Sequence, residues 1–483
     1  MMNVLVKGAQ SMKNNNDFQV IIAGAGPAGL LAAEKLAEQG VSVAVYEPGK
    51  ENTLGHDWSD AVEKSALDAA GFEMPDIMDG RYVGKLVKTS EADDNLFEPH
   101  CIQPLEIRSP DLSCTVPDGV EFRYITTDRK VLNRMLAERA AIAGATIFYR
   151  HRAETLLGDT GSALEKIHVH GMRVTDLESK RSFDVSAHVT VDATGLGSTL
   201  RTGLSAEPVI NRKFEGGDLA YACRTVRRLD AGRAAGVDLV DHYRYGAFKG
   251  YFWTHLHHPD SVDVGGGVRE EPGRVDPMDI IEEMIAARPA ITGEKLRGGG
   301  GLVLVGKSPF SLVASGFAAI GDAAGQVIPM TGCGVGGALT GALLSAGVIQ
   351  AALKKNDCSL KSLWPCNYVW FSGRGSHFAA LAALKDILQD LSHEEISFLM
   401  KKGIMNSKTL TPAINGVFAA PDLSDIFNTL ANGFYRPGLL MKLNRANSIG
   451  KKVFVHYRNY PAKWDPEAFS RWVQKAGRLF GKT

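Results

Sequence analysis

Three glycines and one acid carry the first recognisable chemistry in this chain. Gly24, Gly26 and Gly29 stand in "GAGPAG", and Glu47 follows 18 residues after the last of them. In such a turn the first glycine permits a sharp reversal. The second lets the backbone approach a pyrophosphate, and the third lets a helix pack close to a strand. Pro27 and Ala28 open that helix, whose free N–H groups and dipole suit the phosphates. A carboxylate at Glu47 accepts from a ribose diol and repels a 2′-phosphate, which favours FAD or NAD over NADP.

A second glycine-rich stretch, "GDAAGQVIPMTGCGVGGALTG", begins at Gly321, almost 300 residues after the first. NAD alone has no use for it. FAD does, because its ribityl chain and ring system extend beyond the pyrophosphate. Asp322 suits a ribityl hydroxyl. Pro329, Gly332, Gly334 and Val335 form a loop leading into a helix, whose first N–H groups stabilise negative charge at flavin N1–C2=O. Cys333 reads as a small residue filling this loop, since no second cysteine is placed to resolve a disulfide.

The elements that must position these groups are parallel strands. "FQVIIA" (18–23) is a short buried run, "LLAAEKLAEQG" has helical periodicity, and "VSVAVYE" ends on Glu47. "AHVTVDATGLGSTLR" (187–201) and "SGFAAIGDAAG" (315–325) are further strands closing on glycine turns. In an open parallel sheet, ligands collect at the carboxyl ends of the strands, so distant segments converge on one extended molecule.

These motifs, with "TTDRKVLNRMLAERAAIAGA", resemble the geranylgeranyl reductase family of FAD-dependent oxidoreductases, within the p-hydroxybenzoate-hydroxylase-like superfamily. The resemblance runs in order through residues 18–355. It implies bound FAD, with Arg129 near the pyrophosphate or adenosine side, Asp322 on the ribityl chain and Pro329 through Val335 beside the isoalloxazine. It also implies reduction of a C=C bond in an isoprenoid or prenyl-lipid substrate by hydride from the reduced flavin, with a cavity acid or water protonating the other carbon. The same fold serves FAD-dependent monooxygenases. A non-catalytic, membrane-associated flavin-binding protein is a third reading. The external reductant is left open between NAD(P)H and a ferredoxin-like donor protein.

"GDLAYACRTVRRL", "GYFWTHLHHP" and "SVDVGGGV" alternate as antiparallel strands do. Inserted over a flavin, they roof a substrate cavity. The family carries Y-x-W-x-F-P in this region. Here Tyr251 and Trp253 match, while His255 and Leu256 replace Phe and Pro. Tyr251, Trp253 and His255 share one strand face, so His255 is a candidate catalytic group. His257 and His258, before Pro259, read as turn residues, and no acid at ligand spacing makes the cluster a metal site. After Glu47 the family places a Cys- and Gly-bearing loop against the flavin. This chain has His56 and Asp57 as candidate proton donors and Trp58 as a cavity wall, although Asp57 or Ser59 also suits a helix cap.

The expected fold is α/β. A disordered segment, 1–16, precedes an FAD-binding Rossmann-type domain assembled from 17–85, 125–205 and 306–355. An inserted antiparallel-sheet substrate domain comes from 86–124 and 206–305, and a C-terminal helical, basic region spans 356–483. Acids and bases balance at 54 each, so no global field favours nucleic acid. Six cysteines without C-x-x-C spacing read as reduced thiols, and no metal centre is expected. No uninterrupted apolar stretch reads as a transmembrane helix. Residues 434–483 carry 11 Lys or Arg against two acids, with Phe454, Trp464, Phe469, Trp472 and Phe480 interleaved. That mix suits an anionic membrane surface, so the expected location is cytoplasmic, peripheral on a membrane's inner face.

Overall fold

The computed structural model describes residues 18–72, 76–78, 81–83, 106–109, 113–116, 124–230, 242–246, 249–258, 260–419 and 436–481. Residues 1–16 and the amphipathic stretch "LSDIFNTLANGF" lie outside this set. So do the side chains of His257 and His258.

A six-stranded sheet forms the base. Its strands are β1 (Val20–Ala23), β2 (Val43–Glu47), β6 (Thr146–Tyr149), β10 (Val189–Asp192), β16 (Val313–Ala314) and β17 (Phe317–Ala319). Their order is β16-β17-β10-β1-β2-β6, parallel except for the β16–β17 pair. Val20, Ile21, Ile22 and Ala23 are fully buried, as a central parallel strand must be. Helix α1 (Pro27–Ala37) packs between this sheet and two other helices, α3 (Arg129–Ala143) and α5 (Val335–Lys354). Asp128 caps α3 by accepting from the N–H groups of Lys130 and Val131. Helix α5 is long and apolar enough to cross a bilayer, but it is mostly buried against α1.

A second six-stranded sheet is formed by β4 (Glu106–Arg108), β11 (Leu219–Leu229), β12 (His242–Gly246), β13 (Gly250–His258), β14 (Ser261–Arg269) and β15 (Ile291–Leu304), in the order β15-β11-β14-β13-β12-β4. Period-two alternation gives it two faces. Phe252, Val262, Val264 and Val268 pack against Ile281, Met284 and Ile285 of α4 (Pro277–Ala286). The opposite face looks toward the first sheet. A ribbon of β3 (Ser59–Glu63) and β5 (Tyr124–Asp128) lies nearby, joined to β11 by Arg224, which donates to Ser59 O. Strands β7 (His151–Thr160), β8 (Ile167–Asp176) and β9 (Ser182–Ser186) form a three-stranded sheet.

The C-terminal region is helical: α6 (Pro365–Ser372), α7 (Arg374–Leu388), α8 (His393–Lys401), α9 (Ser407–Ile414), α10 (Pro437–Arg458) and α11 (Pro466–Leu479). Here the structure differs from expectation. Phe469 and Trp472 are buried, in a cluster with Trp364, Phe371, Tyr457 and Tyr460. Trp472 Nε1 donates to His456 O, clasping α11 to α10. The aromatics interleaved with basic residues therefore serve the core, because the helices turn their apolar stripes inward and leave the charges outside.

Candidate active site

The turn after β1 is built as its glycines require. Gly24 has φ +101°, and a Cβ there would lie 2.4 Å from Ala193 O. A Cβ on Gly29 would lie 2.1 Å from Gly24 O. A Cβ on Gly26 would meet nothing within 4 Å, because it points into a cavity. Gly26 is also the N-cap of α1 and offers no side-chain cap, so first-turn N–H groups face that space. Glu47 accepts from Ala25 N at 2.8 Å and Gly49 N at 2.7 Å, bracing the turn while it lines the cavity.

The second glycine stretch closes on the same space. Gly321 (φ +64°) begins a one-turn helix that brings Asp322 to the cavity. Burial pushes the Asp322 carboxyl above the usual range. Among the described residues, its carboxylate accepts no hydrogen bond. Pro329, Gly332, Gly334 and Val335 line the cavity, and α5 starts there without a side-chain cap. A half-buried carboxylate without a donor among the described residues and two uncapped helix starts are what a pyrophosphate-linked polyol would satisfy. The residues fit FAD.

Arg129 lines the same cavity as Gly24, Gly26, Glu47 and Asp322. Its guanidinium donates to Asp60 at 2.5 Å, while its buried Nε has no partner among the described residues. Asp57 does not line the cavity. It is exposed and pairs with Lys130 at 2.7 Å. Gly29 also lies behind the cavity wall, in line with a packing role.

The cavity encloses about 850 Å³ and runs from the dinucleotide residues to the open face of the second sheet. Cross-strand rows order that face. Gly301, Ala222, Gly267 and Tyr251 form one row. Gly299, Arg224, Gly265 and Trp253 form the next, and Val226, Asp263 and His255 the third. The first row is smooth, and Tyr251 Oη donates to Thr331 O in the α5 loop at 2.6 Å.

The second row holds residues that sequence reasoning missed. The Arg224 guanidinium lies 5.8 Å from the Trp58 ring and 5.2 Å from the Trp253 ring. It pairs with Asp60 and Asp263, each at 3.2 Å. Gly299 and Gly265 make room for the two indoles, since a Cβ would strike Trp58 at 2.7 Å and Trp253 at 2.2 Å. Burial alone would raise the Asp60 carboxyl, but Arg224 and Arg129 hold it below its ordinary value. His56 stacks on Trp58 at 4.3 Å. Burial, then Arg129, lower its proton affinity. Burial pushes the Cys333 thiol up to about 11, so it is a packing group rather than a thiolate. His255 lines the cavity beside this cluster. The signal for Arg224 was present in "YACRTV", where a cation occupies an inward position of an alternating strand.

The sequence model described as FAD dependent oxidoreductase matches residues 19–206. The chain is 25% identical over 473 residues to the digeranylgeranylglycerophospholipid reductase of Sulfolobus acidocaldarius, covering 96% of this chain and 97% of that protein. It is 28% identical over 392 residues to a protein of the same name from Methanothrix thermoacetophila, covering 79% and 90%. Among solved structures, a geranylgeranyl bacteriochlorophyll reductase-like protein from Thermoplasma acidophilum aligns with TM-score 0.66 at 18% identity, covering 89% of this chain and 99% of that one. A flavin-dependent brominase shares the fold at TM-score 0.52 and 16% identity, covering 95% and 99%.

Proposed function

We propose that this FAD-dependent oxidoreductase hydrogenates C=C bonds in the isoprenoid chains of a lipid. The chain resembles the geranylgeranyl reductases over nearly its whole length. One observation carries the reading: a single cavity joins the dinucleotide turn to a sheet face smoothed by Gly301, Ala222 and Gly267. Three adjacent positions without protruding side chains, ending at Tyr251, accommodate an extended apolar chain and exclude water.

When bound and reduced, FAD supplies hydride at N5. The protein's own part is position, dryness and the second hydrogen. Gly24, Gly26, Glu47, Asp322 and the start of α5 hold the cofactor. Tyr251, Trp253 and Trp58 form the aromatic wall. His255 is the proposed proton donor. His56 is the weaker candidate, because burial and then Arg129 lower its proton affinity. In this reading the roof is the second sheet and the cofactor half the first. NAD(P)H or a ferredoxin-like protein supplies the electrons, and the basic α10 faces a membrane.

The test is product mass. Dithionite-reduced enzyme is mixed anaerobically with prenyl phospholipids and prenyl alcohols, with parallel aerobic reactions containing NADPH. Gain of two hydrogens per event is expected without air. Gain of oxygen, seen only in air, would replace the reductase with a monooxygenase.

A further inference from the structure

Beyond its smooth row, the cavity ends in cations. Lys249, Lys385 and Gln389 line this end. Lys249 immediately precedes β13, and its carbonyl accepts from Arg269 N and Gln389 Nε2. Arg269 faces the same side of β14 as Gly267, two residues on. Lys385 comes from α7 on the opposite wall. Two separate elements thus bring positive charge to this end of the cavity, with Arg269 just outside its lining.

Three of the acids that face these cations lie farther out, while Asp218, which also acts on Lys385, is 17% exposed and paired with Arg212. Lys385 is 5% exposed, while its partner Asp386, 3.2 Å away, is 53% exposed. Arg269 is 24% exposed, and Asp390, 3.9 Å away, is 69% exposed. Glu271 holds Lys249 at 2.8 Å and is also the more exposed of that pair. Water screens the outer carboxylates more strongly than the inner cations, which leaves Lys385 the less screened charge of its pair at this end.

Lys385 is the most buried of the three. Its ammonium has three donors. Gly217 O accepts at 2.8 Å and Asp386 takes a second contact, which leaves one donor for the cavity. Burial lowers its proton affinity, opposed by Asp386 and Asp218. An anion arriving from the cavity would restore what burial removes.

We propose that this end of the cavity binds the phosphate-bearing headgroup of the substrate lipid, with Lys385 setting the preference for anionic over uncharged prenyl chains. The proposal rests on the prenyl-lipid reading above and adds which end of the lipid lies where. The cationic end is about two strand residues, roughly 7 Å, from the Tyr251 row that touches the α5 loop. An anchored headgroup therefore presents the double bonds nearest to it first.

The test is binding, with turnover measured separately. Geranylgeranyl phosphate and geranylgeraniol are titrated into oxidised, FAD-loaded enzyme and followed by flavin fluorescence. Inorganic phosphate is titrated alone as a further arm. The wild type is expected to prefer the phosphate ester about tenfold or more. Lys385→Gln should bring that ratio near unity, and Lys385→Arg should restore most of it. Lys249→Gln provides a second reading if Lys385→Gln does not fold. Phosphate should compete with the ester in the wild type but not in Lys385→Gln. Equal affinity of the wild type for ester and alcohol would overturn the proposal, as would a ratio unchanged by both glutamine variants. Competition by phosphate without any ester preference would assign the site to free phosphate and overturn the headgroup assignment. If turnover fails with every lipid while the ester preference holds, the reductase reading falls and the anion site stands.

Discussion

At the scale of single residues, the two inner glycines of the first turn make opposite predictions. Gly26 has open cavity where its side chain would be, whereas Gly29 has Gly24 O at 2.1 Å. Gly26→Ala should fold with an unchanged melting temperature and weaken FAD by about tenfold or more, a loss of at least ~1.4 kcal/mol. Gly29→Ala should be destabilised by about 1–3 kcal/mol, as overpacking is. Thermal melts and flavin retention after gel filtration separate the two outcomes. Loss of stability in Gly26→Ala with full FAD retention would remove the phosphate role. These glycines, Glu47 and Asp322 were legible because each is tied to a turn at a strand end, where spacing and role are linked. Asp60, Arg224 and Asp263 were not. They lie in three strands distant in sequence, and only the fold makes them partners. The sequence singled out Asp57, whereas the β3 register sends Asp60 inward to Arg129 and Arg224.

At the scale of elements, the sheet that roofs the cavity has a sequence signature in its glycines. "GGGG" in β15 and "GGG" in β14 are poor strand formers. Their cost is offset by what they admit: two indole rings at Gly299 and Gly265, and open floor at Gly301 and Gly267. Gly301 makes the sharper test, since a Cβ there meets nothing within 4 Å. Gly301→Val should fold normally, retain FAD and raise KM for the prenyl lipid several-fold, with a smaller effect on a short five-carbon analogue. A uniform loss for both substrates would mean that this row does not contact the chain. Alternation in the strands was readable because period two is a local property. The inward turn of Phe469 and Trp472 was not, because a helix with aromatic and basic residues interleaved has the same composition whether it meets a bilayer or a core.

At the scale of the whole molecule, the proposed membrane contact rests on charge once those aromatics are withdrawn into the core. Helix α10, with its N-cap Arg436, carries Lys442, Arg445, Lys451, Lys452 and Arg458 and no acid. Lys442 is held by Glu395 at 2.7 Å, and Arg458 donates to Ser372 O. Lys451 and Lys452 are exposed, on a helix that also exposes Met441 and Val455. A surface of this kind meets anionic lipid by electrostatics, with each basic residue near the headgroups contributing about 1 kcal/mol. Reversing two of them in Lys451→Glu/Lys452→Glu should therefore weaken binding to phosphatidylglycerol vesicles by a factor of about thirty or more. Vesicle sedimentation measures this. Wild-type binding should also fall steeply as salt rises, because the Debye length shrinks from about 10 Å at 0.1 M to about 3 Å at 1 M. Binding that survives both the charge reversal and high salt would mean that apolar insertion holds the protein, and α10 would not be the contact. No binding by the wild type at low salt would leave the lipid to reach the cavity from solution or from a carrier. The cationic end beside Lys385 would then meet its headgroup without help from the membrane surface.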